Sequence, residues 1–292
     1  MKVLVFGQSG QVATELQRQA TARDVSIETL ARAQADLTDP GICAKRVLET
    51  DADVIINAAA YTSVDRAEEE SDLAQLVNAD APGAIAHAAA SRGLPFFHVS
   101  TDYVFDGSGD RPRSPDDPTG PLNIYGKTKL EGEQQVAAAG GWYGILRTSW
   151  VFSAHGNNFV KTMLRLAERH QELSIVADQI GGPTPAADIA STLLTMAQKG
   201  SRVEGGVFHY AGVPETSWAD FAREIFMQAN FAISVLDIPT SAYPTPAQRP
   251  INSRLDCSRL EQVYGLPRPN WKKGLIDVLA QLGSADMRSS KG

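Results

Sequence analysis

The sequence predicts an α/β fold, a doubly wound parallel sheet with a smaller, interleaved α/β lobe. Three observations carry that prediction. Over the first 150 residues, short and nearly continuous apolar runs alternate with longer stretches of helical spacing. That is the pattern of strands buried on both faces and joined by crossover helices. A glycine-bearing turn, "GQSG", follows the first apolar run directly. Beyond about residue 150 the alternation loosens, and the Pro-rich stretch "IPTSAYPTPAQRPINSRLD" is too long and varied for a simple turn, which marks it as a functional loop.

The elements follow in order. "KVLVF" at 2–6 is the first strand, and "QVATELQRQATA" has helical spacing. "VSIETLA" is the second strand. "PGICAKRVLETD" is a helix with Pro40 early, where helix starts allow it. "ADVIINAAA" at 52–60 is the third strand, and "SDLAQLVNADAPGAIAHAAASRG" is helical with an interruption at Pro82. "PFFHVST" at 95–101 is the fourth strand. A helix starts at Tyr125, and "WYGILRTSWVF" at 142–152 is the fifth strand. Further on, "NNFVKTMLRLAERH", "PAADIASTLLTMAQK" and "SWADFAREIFMQA" are helices, the last behind a Ser cap. "LSIVADQIGGPT" is a short strand running into a turn, and "GGVFHYAG" is a strand that returns to the first sheet. The predicted organisation is a dinucleotide-binding domain over 1–150 with a return segment at about 184–212. A substrate-binding lobe covers 151–183 and 213–282, and 283–292 form a frayed, flexible tail.

Composition narrows the function. With 292 residues, 43% of them hydrophobic, the chain has an ample core. A net charge of −7 argues against a nucleic-acid partner. No apolar run reaches the roughly 18 residues of a membrane span. Cys43 and Cys257 lie far apart, which excludes a disulfide framework and points to a reducing cytosol, hence a cytoplasmic protein. The five histidines show no zinc-ligand spacing, and His98 and His209 read as strand residues.

Gly7 and Gly10 stand between the first strand and its helix, where a backbone can approach a pyrophosphate at a helix N-terminus. The spacing is G-x-x-G, and Gln11 and Val12 follow where a third glycine would stand in the usual fingerprint. An ordinary tight turn is the competing explanation. Arg32 lies near the end of the second strand, where an Arg suits a 2′-phosphate, so NADPH is expected over NADH. A solvated loop charge would read the same. Tyr125 and Lys129 are four apart, one turn along one helix face. Alone, that spacing fits a solvated face equally well.

Taken together, "FGQSGQV", "NAAAYTSVDRAE", "STDYVFDG", "PLNIYGKTKLEGE" and "RTSWVF" with "GNNFVKTMLRL" resemble the extended short-chain dehydrogenase/reductases, and more narrowly their dTDP-4-dehydrorhamnose reductase branch. "DQIGGPT", "WADFAREIF" and "PTPAQRPINSRLD" extend the resemblance to about residue 280. It implies a Rossmann-type sheet and NAD(P)H-dependent reduction of the 4-keto group of a dTDP-6-deoxy sugar, giving dTDP-L-rhamnose. Tyr125 is the candidate acid. Lys129 is expected to bring the phenol from near 10 towards ~7, about 4 kcal/mol of charge stabilisation. The resemblance also has Lys129 hold the nicotinamide ribose. Thr101, at the end of the fourth strand, is expected to orient the proton transfer; Ser100 should face the other way.

Ala58, Ala59 and Ala60 are small enough for a flat cofactor to lie close, and the resemblance puts Ala60, Tyr61 and Thr62 along the dinucleotide. Asp36 and Leu37 match a segment flanking the adenine; Asp36 as a helix cap is the alternative. On the sugar side, Asp102, Tyr103, Trp150, Asn157, Asn158, Arg249 and Asn252 are the expected contacts, with Ser253 beside them. Trp150 as core and the two asparagines as caps are the competing readings. Some members of the family carry Mg²⁺ on acids at a homodimer interface. Glu15 matches one such position, but Ala187 and Gln281 stand where acids are expected, and Asp188 is the remaining substitute. That argues against a metal here. Two other readings remain: another epimerase, dehydratase or reductase of nucleotide sugars, and a non-catalytic NADP-binding regulatory subunit. "STDYVF" lacks the Asp-Glu pair of dehydratases, and a pure binder has no need of the Thr101, Tyr125 and Lys129 set.

Overall fold

The computed structural model describes residues 1–289. At its centre is a six-stranded, all-parallel sheet. In chain order the first five strands are β1 (Lys2–Phe6), β2 (Ser26–Leu30), β3 (Val54–Asn57), β4 (Phe96–Thr101) and β5 (Tyr143–Thr148), and Gly206–His209 is the sixth. Across the sheet they run β2, β1, β3, β4, β5 and then Gly206–His209. The chain leaves β1 to one side for β2 and returns to its other side for β3. Such a reversal opens a crevice at the carboxyl ends of the strands.

The two-residue period of a strand sends Val3 and Val5 to one face and Leu4 and Phe6 to the other, and all four are fully buried. On the first face they meet Val12 and Leu16 of the helix Gln11–Ala20 and Ile189 and Leu193 of the helix Ala186–Lys199. On the second face they meet Val47, Ile85 and Val136, from the helices Pro40–Glu49, Ala81–Ser91 and Ile124–Ala138. This is the doubly wound arrangement predicted. A third core joins Phe152, Val160, Phe221, Ile225, Trp271 and Leu275 in the second lobe, around the helices Phe159–Ala167, Trp218–Gln228 and Trp271–Ser289. The Ser217 hydroxyl caps the middle one, accepting from the Asp220 N–H at 3.0 Å.

Several elements depart from expectation. The third strand stops at Asn57, because the Asn57 side chain accepts from the Ala59 N–H at 3.1 Å and draws the backbone out of the ladder. The run 142–152 is broken: β5 ends at Thr148, and Val151–Phe152 pairs with Thr184–Pro185 in the second lobe. Trp150, with φ of +50°, makes the turn between them. The interruption expected at Pro82 lies just before it, in a π turn over Leu76–Asp80; Pro82 sits in the first turn of the next segment, where its missing N–H costs little. The strand Ser234–Ile238, which pairs with Glu172–Val176, and the helix Ser258–Tyr264 had no assignment from sequence. The frayed tail expected from 283 is instead helix through Ser289, since a lone Gly283 costs only about 1 kcal/mol in a helix. The end of that expected tail, 290–292, lies outside the described residues. Among the described residues no helix is long and apolar enough to cross a membrane.

Candidate active site

The crevice between β1 and β3 is shaped by close backbone approach. Gly7 takes φ of +108°, open chiefly to glycine, and a Cβ there would fall 3.3 Å from the Ala59 Cβ. Nothing lies within 4 Å of a Cβ built on Gly10, which stands at the N-terminus of the first helix. That helix has neither a side-chain cap nor an acid in its first turn. Free N–H groups and uncrowded space suit a dinucleotide pyrophosphate, and small, half-buried Ala58 and Ala60 leave the opposite wall flat. Arg32 is 78% exposed and donates to Asp36 at 2.9 Å. The Thr38 backbone N–H, then Arg32, hold the Asp36 carboxyl below its usual range. Leu37 packs at the edge of the second core.

Two of the expected cofactor contacts are otherwise occupied. Gln11 accepts from the Ser153 hydroxyl (2.8 Å) and from Asn158 Nδ2 (3.0 Å), so its side chain ties the first helix to the second lobe. Val12 is buried in the first core. Helical spacing directs the first side chain to the lobe and the second to the sheet. The Tyr61 N–H donates to Asn78 Oδ1 at 2.8 Å and its hydroxyl to Glu70 at 2.5 Å. Thr62 is exposed.

The helix Ile124–Ala138 is anchored at its N-terminus and along its length. Asn123 caps it, accepting from the Gly126 N–H at 2.8 Å, and donates to the Gln248 carbonyl of the Pro-rich loop at 2.8 Å. Two glycines let the helix seat: a Cβ at Gly126 would lie 2.2 Å from the Tyr103 carbonyl oxygen, and one at Gly132 would lie 2.1 Å from that of Asn78. Asn78 also donates to the Tyr61 carbonyl (3.1 Å) and to the Thr128 hydroxyl (3.2 Å). The result brings Thr101, Tyr125 and Lys129 together at the carboxyl end of β4. The Thr101 side chain lies beside the Tyr125 phenol and holds it down against burial. The Tyr103 ring meets the Tyr125 ring edge-on at 5.4 Å. Lys129 Nζ donates to the Val99 carbonyl at 2.8 Å and lies 2.9 Å from His98 Nε2.

The electrostatics correct one expectation. Burial pushes the Tyr125 phenol up to about 12; the neighbouring Thr101 side chain opposes this and the Asp102 charge adds to it. Lys129 does not bring it towards neutrality, because its Nζ is directed at His98 and the Val99 carbonyl. The lysine itself is pulled down to about 8 by burial, against the Glu133 charge. Burial raises Asp102 to about 6, although Ser253 and Thr101 hydrogen-bond it. Its Oδ1 accepts from the Thr101 hydroxyl at 3.1 Å, and its Oδ2 is buried without a hydrogen-bond partner. A phenol held high keeps its proton at neutral pH, as an acid awaiting an alkoxide must.

On the sugar side the expected contacts divide. Asp102, Tyr103 and Ser253 gather beside Tyr125. Trp150 stacks on Trp218 at 3.6 Å and lies over Gly181. Asn157 is exposed. Asn158 caps the helix Phe159–Ala167, and its amide donates to Gln11 and two carbonyls. Asn252 is 2% exposed, donates to the Arg111 carbonyl and accepts from Arg254. Arg249 pairs with Asp65 at 2.7 Å, so an anionic ligand would have to displace that carboxylate. Glu15, at the expected metal position, is bonded by Arg18 and His155. Asp188 is raised by burial and then by the Asp277 charge. Sequence reasoning missed Asn57, Asn78, His98 and Thr148. The last sits opposite Thr101 across the sheet with a buried, unpartnered hydroxyl. Only the three-dimensional register reveals them; "FFHVST" was the one available signal for His98.

A family model described as the RmlD substrate binding domain matches residues 1–284. A dTDP-4-dehydrorhamnose reductase of Sinorhizobium fredii is 46% identical, the match covering 94% of this chain and 95% of the relative. Among solved structures, a dTDP-4-dehydrorhamnose reductase of Clostridium acetobutylicum superposes with a TM-score of 0.92 at 39% identity, over 97% of this chain and 100% of that one. The Bacillus anthracis reductase, solved in complex with NADP, superposes with a TM-score of 0.90 at 35% identity, over 96% and 99% of the two chains.

Proposed function

The chain belongs to the RmlD substrate-binding-domain family, and on that premise we propose that it reduces dTDP-4-dehydrorhamnose to dTDP-L-rhamnose with NADPH. The observation that carries this reading is the convergence of Thr101, Tyr125 and Lys129 at the carboxyl end of β4, beside the Gly7 and Ala59 crevice. The residues of that crevice fit a dinucleotide: glycine where a side chain would collide, small residues opposite, and an uncapped helix start. The reduced nicotinamide supplies the hydride that goes to the sugar's C4.

The protein's own groups handle the charge this creates. As the carbonyl becomes an alkoxide, the Tyr125 hydroxyl gives its proton to that oxygen. Thr101 holds the phenol in line and offers the departing charge a hydrogen bond. Lys129 serves the ribose and the phenolate that remains. Asp102 and Ser253 take sugar hydroxyls, and the exposed Arg32 takes a 2′-phosphate after parting from Asp36. The soluble reactants suit a cytoplasmic enzyme.

Mixing the purified protein with NADPH and the dTDP-4-keto sugar tests the reading. Absorbance of the reduced nicotinamide should fall in step with formation of dTDP-L-rhamnose. Bound cofactor with no consumption, on this or any other dTDP-ketosugar, would overturn it.

A further inference from the structure

Asn57, His98 and Lys129 form one hydrogen-bonded chain, and each is at most 1% exposed. Asn57 closes β3, and His98 sits directly opposite it on β4. The directions of the bonds follow from one end. The Ala59 N–H can only donate, and it donates to Asn57 Oδ1 at 3.1 Å. The Asn57 Nδ2 group, also a donor only, therefore faces His98 Nδ1, 3.2 Å away. Nδ1 must accept, so it carries no proton. Burial holds this imidazole below its usual pKa, so the ring is neutral and its one proton sits on Nε2. That N–H points at Lys129 Nζ, 2.9 Å away. An ammonium there would set N–H against N–H. An uncharged amine accepts from His98 and still donates to the Val99 carbonyl at 2.8 Å.

We propose that His98, locked in one tautomer by Asn57, is a positioning residue that favours the uncharged amine of Lys129. To carry a charge, Lys129 needs the imidazole proton moved to Nδ1 and the Asn57 amide turned over, at the loss of the Ala59 bond. The lysine thus loses its charge at a lower pH than an ordinary lysine does, and a nearby anion, such as the Tyr125 phenolate or a bound phosphate, restores it. Of the other groups around it, Glu133, one turn on, opposes the lowering, but its carboxylate is already paired with Arg147 of β5 at 2.6 Å. Tyr125, one turn back, keeps its proton at neutral pH. Asp102 and Tyr103 act on Tyr125 and on each other. Glu68 accepts from the Ile124 N–H, and Asp80 from Gln75 and Gln135.

The inference rests on the proposed reading for the catalytic role of Lys129, but its test does not use turnover, so a failed reductase assay leaves it standing. The free protein is labelled with ¹⁵N-histidine and ¹³C-lysine, and Lys129 is assigned with Lys129→Met. His98 should show the Nε2–H tautomer, and Lys129 should titrate about two units below the ordinary lysine range. Burial alone would lower the lysine without fixing the tautomer. Asn57→Asp supplies the discriminating arm: a carboxylate can only accept, so it draws the imidazole proton to Nδ1, and the Lys129 midpoint should rise by ~1 unit or more. An Nδ1–H tautomer in the wild-type protein would overturn the proposal. So would a Lys129 that titrates with the surface lysines, or an unchanged tautomer in a folded Asn57→Asp. If that variant does not fold, the two wild-type measurements decide.

Discussion

Asp102→Asn should make the protein more stable at pH 8 while slowing turnover. Asp102 is 3% exposed, and burial raises its carboxyl from 3.8 to about 6. That shift of about 2 units, at ~1.4 kcal/mol each, amounts to ~3 kcal/mol. The sign follows from proton binding: the folded chain holds this proton more tightly than the unfolded chain. The associated stability is complete below about pH 4 and is lost as pH rises through about 6. Above that, the fold carries a buried carboxylate whose Oδ2 has no hydrogen-bond partner. Asparagine keeps the acceptor for Thr101 and removes the charge, but its Nδ2 needs a partner, and Ser253 is the nearest candidate. Allowing ~1–2 kcal/mol for an imperfect bond leaves a net gain of ~1–2 kcal/mol at pH 8. The gain should vanish or reverse by pH 4. Urea unfolding of both proteins at pH 4, 6 and 8 measures it. Turnover should fall ~10-fold, because Asp102 contacts Thr101 and, in the proposed reaction, takes a sugar hydroxyl. A variant destabilised equally at pH 4 and pH 8 would refute the reasoning, since the charge would then carry no penalty.

Three further outcomes are expected. Gly132→Ala places a Cβ 2.1 Å from the Asn78 carbonyl oxygen, a backbone atom that cannot swing away; unfolding should show a loss of ~1–3 kcal/mol together with reduced activity. Arg32→Ala should lower kcat/KM for NADPH by ~10-fold or more and leave that for NADH within a factor of about 3, because only the former carries a 2′-phosphate to pair with the guanidinium. Arg249→Ala breaks a half-exposed pair with Asp65, so stability should change by less than ~1 kcal/mol, while KM for the dTDP-sugar should rise several-fold if the loop binds the diphosphate.

The sheet was legible in the sequence because its strands carry unbroken apolar runs and its helices carry clear spacing. Val3 to Phe6 and Phe96 to Thr101 announce themselves. The crossing of β5 into the second lobe was not legible, since "RTSWVF" is apolar on both sides of Trp150 and only the left-handed turn there separates two strands. At the site, Tyr125, Lys129 and Thr101 could be named from residue type and spacing. The internal bonds of Gln11, Asn158 and Asn252 were not legible for one reason: a polar side chain has the same letter whether it faces a ligand or bonds within the protein. Asn57 and Asn78 could not be found at all, because their partners lie 41 and 50 residues away in sequence.

The central claim is that the Tyr125 phenol supplies the proton to the reduced carbonyl. Tyr125→Phe, assayed for NADPH consumption with the dTDP-4-keto sugar and for cofactor binding by titration, tests it most directly. The account predicts a kcat lower by ~10²–10⁴-fold with cofactor affinity within about 3-fold of wild type. A phenylalanine variant that turns over at close to the wild-type rate would contradict it.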